Sequence, residues 1–150
     1  MDMSDQMIKE MEIAYATMPQ KKEDTPDERT EKREEAISRA VQKYFPAGMK
    51  AEEAFKLLHQ LKEEGFEVSE WRHEGARNWP DGEFKPYLDE ATRRNLQRQI
   101  PKGASRFHAN KQYGVHITLL ATKHVAIGFR VVDGSGVISE VKGDIGASGI

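Results

Sequence analysis

The chain has 150 residues, 37% of them hydrophobic and 32% charged, with a formal net charge of −2. That length fits one domain able to bury a core; the absence of Cys excludes disulfides and thiolate metal sites, and no apolar run approaches the roughly 18 residues of a membrane-spanning helix. The first twenty residues are polar and acidic with no hydrophobic signal segment, so the expected location is cytoplasmic, or exported if a signal was removed.

A first helix is expected from Ser4 as cap to Thr17, with Met7, Ile8, Met11, Ala14, Tyr15 and Met18 at helical spacing. A charged linker follows over 20–24, and residues 1–24 read as a flexible or loosely docked helix and linker that adds little to the core. Residues 25–150 read as a single α+β domain, with its core within 36–142. Thr25-Pro26-Asp27-Glu28 starts a second helix. Thr25 caps it, Pro26 sits where a missing N–H costs nothing, and Glu28 completes a capping box. Its first half is nearly all charge and projects into water; its second half carries Ile37, Ala40, Val41 and Tyr44 on one face.

After the turn at Phe45-Pro46-Ala47-Gly48, a third helix over 50–64 shows the stripe Ala54, Phe55, Leu58 and Leu61. Gly65 followed by Phe66 is a left-handed helix stop with a hydrophobic closure. Residues 66–71 alternate as a short strand, and 72–86 are irregular. A fourth, basic helix spans 88–100 and Pro101 ends it; 101–114 read as a polar loop. Strands are expected over 115–121 and 125–132, joined tightly by Thr122-Lys123-His124. Asp133-Gly134-Ser135-Gly136 turns the chain into a return strand over 137–142, and 143–150 are small and loose. The fold class is α+β, with helices packed on one face of a small antiparallel sheet whose C-terminal part is a three-stranded meander.

Charge along this chain is sorted. Residues 1–90 hold 22 acids against 14 bases, whereas 91–132 hold eight bases and no acid. Such sorting points to an anionic partner or to an internal acidic cover. The candidate binding residues are Arg93, Arg94, Arg98, Lys102, Arg106 and Lys111, joined by Trp71 and Trp79, whose rings sit among cations and could stack on a partner. His108, His116 and His124 recur every eight residues, but the stretch offers no acid as a further metal ligand, so no metal and no cofactor is expected.

The run Tyr44-Phe45-Pro46-Ala47-Gly48-Met49, then Glu53-Ala54, Leu57-Leu58 and Glu64-Gly65-Phe66, and the hairpin from Phe129 to Val141 resemble small bacterial lipoproteins of the outer-membrane-assembly (BamE/SmpA-like) type. The resemblance covers about 60 residues in two blocks. It implies a helix pair followed by a three-stranded meander, and a scaffold or binding role rather than catalysis. This chain lacks a lipid-bearing Cys and inserts 72–113 between the two blocks.

The functional expectation is a non-enzymatic protein-interaction module, an inhibitor or scaffold, whose basic surface over 91–132 meets an acidic protein; contact between copies of the chain is a further option. The alternative is a metal-free RNase or nucleic-acid-binding protein. His108 or His116 would move the proton, and Arg130 with the Arg/Lys block would hold the phosphate.

Overall fold

The starts of the first two helices are set by side chains that satisfy the first free N–H groups. The computed structural model describes residues 2–73, 84–86, 90–116, 121–132 and 134–149. Helix α1 (Met3–Thr17) is capped by Asp2, whose carboxylate accepts from the Asp5 N–H at 2.8 Å. Ser4, the expected cap, is buried instead, and its N–H donates to Glu64 Oε1 at 3.0 Å. Helix α2 (Pro26–Gln42) starts as its sequence demands: Thr25 Oγ1 accepts from the Glu28 N–H at 3.2 Å and donates to Glu28 Oε1. Helix α3 (Ala51–Glu63) buries Ala51, Ala54, Phe55, Leu58 and Leu61. It closes at Gly65, whose φ of 102° is open to glycine, with the Phe66 N–H donating to the Leu61 carbonyl at 2.9 Å.

The remaining elements are β1 (Glu67–Arg72), β2 (Lys85–Pro86), α4 (Glu90–Gln99), β3 (Ala104–His116), β4 (Ala121–Val132) and β5 (Ile138–Gly149). They form one sheet in the order β2-β1-β3-β4-β5, antiparallel except for the short β1–β2 pair. The α+β class stands, and β3-β4-β5 is the meander. Its strands are longer than expected. Residues 104–114, read as a loop, are most of β3: Ser105, Phe107 and Ala109 are buried, while the polar residues between them occupy the sheet's second face. A strand with one polar face and a basic sequence lacks the apolar density of a strand signal. Thr122-Lys123-His124 is not a turn but part of β4, and residues 143–149 continue β5 rather than trailing loose. Backbone pairing across two ladders orders these small residues, and pairing is blind to side-chain size.

Val125, Ile127, Phe129 and Val131 face the helices and are buried, as their alternation requires. Phe129 stacks between Phe45, at 5.8 Å between centroids, and Phe107, at 5.4 Å. Helix α2 lies along β5: Ser38 Oγ accepts from the Gly143 N–H at 3.0 Å, and Gln42 Nε2 donates to the Val141 carbonyl at 3.1 Å. Residues before α3 meet the start of the same strand, with the Gly48 N–H donating to the Ile138 carbonyl and the Ile138 N–H to the Met49 carbonyl, each at 2.9 Å.

The expectation that residues 1–24 add little to the core is corrected. Met7 and Met11 are fully buried and Ile8 is 5% exposed, all in the main cluster with Val41, Phe45 and Val141. The methionine stripe, suited to adaptable contact, packs internally against α2 and β5. Helix α4 uses the opposite side of the sheet. Its Leu96 joins Ile100, Trp71, Ala104 and Val132 in a small second cluster. Among the described residues no helix is long and apolar enough to cross a membrane.

Candidate anion-binding cavity on the second sheet face

The face of the sheet opposite the main core, which α2 reaches around the β5 edge, is built from the residues that alternate with the core. From β3 it receives Arg106, His108 and Asn110; from β4, Ala126, Gly128 and Arg130. The register sets Arg106 opposite Arg130 and His108 opposite Gly128. Two guanidinium groups on directly opposed residues repel, and the structure separates them. Arg130 is drawn toward β5, with Nη2 2.7 Å from Glu140 Oε2. Glu140 stands at a bulge between Gly128 and Arg130, with a φ of 49° that a non-glycine residue adopts only at a cost of roughly 1–2 kcal/mol. Arg106 turns the other way and lies over Gly128. A Cβ at position 128 would meet Arg106 Nη2 at 2.9 Å and the Phe107 carbonyl oxygen at 3.2 Å, so the absent side chain is what leaves room for the guanidinium.

Arg106 and Gly128 form part of a cavity of about 190 Å³, completed by His108, Lys142, Asp144 and, from α2, Glu34. Burial and then the Arg106 charge hold His108 below its ordinary titration range, so its ring is neutral at neutral pH. Its Nδ1 lies 3.5 Å from Asn110 Nδ2. Asp144 is engaged by Arg33, with Nε 3.3 Å from Oδ1. Among the described residues Arg106, Lys142 and Glu34 make no ion pair. Charges left unpaired around a concave floor are what a polar ligand needs.

The acid-free stretch does not form one surface. Lys111 points to the helix side of the sheet, donates to the Glu64 carbonyl at 2.8 Å and covers the Phe66 ring. Lys123 sits 3.8 Å from Glu12, and Arg94 pairs with Glu90 at 3.2 Å on α4. Arg93, Arg94, Arg98 and Lys102 are exposed on or just after α4, apart from the cavity. Trp71 is 9% exposed and packs in the second cluster, with His73 edge-on to it at 5.5 Å. Trp79 lies outside the described residues. His108 pairs with Gly128 and His124 with Gln112, while the backbone of His116 pairs with Ala121, so the three occupy separate levels of the ladder. Among the described residues no three His, Asp or Glu side chains converge as metal ligands.

Four members of the cavity were not singled out from sequence: Glu34, Lys142, Asp144 and Gly128. Gly128 carried a signal, as a glycine amid β-branched and aromatic residues in a predicted central strand marks a close approach. Lys142 lies ten residues past the acid-free run and reaches Gly128 only through the bulge at Glu140. No protein-family model, curated protein or solved structure matches this chain.

Proposed function

We propose that this protein is a non-enzymatic interaction module that captures an acidic protein surface on the second face of its sheet. One observation carries this reading: the Arg106 guanidinium lies over Gly128 inside a cavity, with no internal carboxylate partner among the described residues. A planar, always-charged group held with its fork open is suited to binding a carboxylate through two hydrogen bonds. Lys142 in the same cavity adds a second cation. Arg98 and Lys102, exposed on and just after α4 and apart from the cavity, add long-range attraction for an acidic partner. The role is of the scaffold or binding class implied by the outer-membrane-assembly resemblance.

The test sets immobilised protein against short acidic peptides and mixed-sequence RNA, at about 150 mM and about 500 mM salt. Acidic peptides bind, weaken steeply with salt and are lost when Arg106→Glu is combined with Lys142→Glu, with the melting temperature kept. Preferential binding of RNA would overturn the reading.

The alternative, a metal-free RNase, draws support from one feature: His108 is held neutral, the form a general base requires. RNA cleavage that disappears in His108→Ala or His116→Ala would establish it in place of the binding module.

A further inference from the structure

The cavity around Arg106 is lined by charges of both signs. Arg106 and Lys142 are its cations; Glu34, carried by the charged half of α2, and Asp144 are its anions, and Lys142 also lines a neighbouring groove with Glu31, Glu34 and Glu35. Asp144 is already answered by Arg33. Glu34 has no such answer among the described residues, and neither do Arg106 and Lys142. His108, held neutral by burial and by its cationic neighbour, contributes a hydrogen-bonding ring and no charge.

A volume of about 190 Å³ is well above the roughly 10–15 Å³ that holds one water, enough for one or two side-chain head groups. A phosphodiester chain would place its negative charges against Glu34 as well as against Arg106, and such like-charge contacts disfavour a partner. A carboxylate next to a cation answers both signs of charge. The carboxylate lies on the open fork of Arg106 with Lys142 beside it, and the neighbouring cation lies on Glu34.

We infer that the cavity recognises a mixed-charge segment of a protein partner, an Asp or Glu adjacent to a Lys or Arg, with the carboxylate on Arg106 and the cation on Glu34. This rests on the acidic-partner reading above and narrows it from any acidic surface to a bipolar element.

The experiment is a chemical-shift titration of the full chain, following the Gly128 and Gly143 amides. Three probes are used separately: an acetylated and amidated Glu-Lys dipeptide, the same dipeptide with Gln in place of Lys, and inorganic phosphate. Glu-Lys binds roughly threefold to fivefold tighter than Glu-Gln, the range that one partly exposed ion pair supplies. Glu34→Gln removes that preference and strengthens phosphate binding, because it deletes the unpaired repulsive carboxylate. Arg106→Gln abolishes the response to both dipeptides, and Arg106→Lys, which keeps the charge without the fork, weakens it. Equal binding of the two dipeptides, both lost in Arg106→Gln, overturns the bipolar inference and leaves the acidic-partner reading intact. Phosphate binding that depends on Arg106, with no dipeptide response up to the solubility limit, overturns both.

Discussion

Helix α2 is seated on β5 through a missing side chain, and Gly143→Ala tests this directly. A Cβ at position 143 would fall against Val41 Cγ2 closer than carbon atoms ever approach, and would sit 3.2 Å from Met11 Cε. Carbon atoms prefer roughly 3.5–4.0 Å. The methionine methyl can swing aside. Val41 cannot, because a β-branched residue in a helix has one favoured rotamer and this one is fully buried. The helix must therefore lift, which stretches the hydrogen bonds between Ser38 and the Gly143 backbone. Overpacking costs about 1–3 kcal/mol, and the strained hydrogen bonds add about 1 kcal/mol. Gly143 has no left-handed φ, so alanine recovers about 0.4–1 kcal/mol by stiffening the unfolded chain. The net loss is about 1–3.5 kcal/mol, or a melting temperature lower by roughly 3–12 °C. Urea unfolding followed by circular dichroism measures it. Val41→Ala in the same chain recovers part of the loss, giving a coupling of at least about 0.5 kcal/mol. A Gly143→Ala protein within about 0.5 kcal/mol of wild type, the range of an ordinary surface change, would refute this account of the interface.

Met11→Ala lowers stability by about 2–5 kcal/mol in the same assay, because Met11 is fully buried beneath α2; a smaller loss would mean that α1 is peripheral. Phe129→Ala costs about 3–5 kcal/mol, since its ring is held between Phe45 and Phe107; near-neutral behaviour would place the Arg130 face in the core instead. His108 protonates less readily folded than unfolded, so below about pH 6.5 the unfolded chain takes up a proton that the native chain refuses, and stability falls. His108→Gln flattens that fall between about pH 7 and about pH 5 in urea midpoints; an unchanged slope would show that His108 titrates normally.

What could be read directly was what short-range chemistry decides. The Thr25-Pro26-Asp27-Glu28 start, the Gly65 stop and the core-facing alternation of Val125, Ile127, Phe129 and Val131 each have a local cause, and each stands in the structure. β3 was missed between 104 and 114 because its order comes from pairing with β1 and β4, distant in sequence, and not from its own apolar content. The tail beyond 142 was missed for the same reason. The cavity was half legible. Arg106 and His108 stood in the acid-free run, but Glu34 comes from a helix more than seventy residues away, and Lys142 needed a bulge to reach its place. Counting charges along the chain also grouped Lys111 and Lys123 with Arg106, although strand alternation sends Lys111 to the other side.

The hydrogen bonds from Ser38 and Gln42 to β5, and those from residues 48–49 to its first residue, fall on the flank of the last strand that no other strand occupies. An unclaimed strand flank is a template on which a second chain can add itself. Here the backbone between Ile138 and Gly143 is already spoken for by groups too short or too irregular to propagate a ladder. The seating of α2 thus does more than bury Ile37 and Val41: it terminates the sheet. Damage to that seating would then surface first as intermolecular strand pairing and loss of solubility, before the helices and the aromatic core had unfolded.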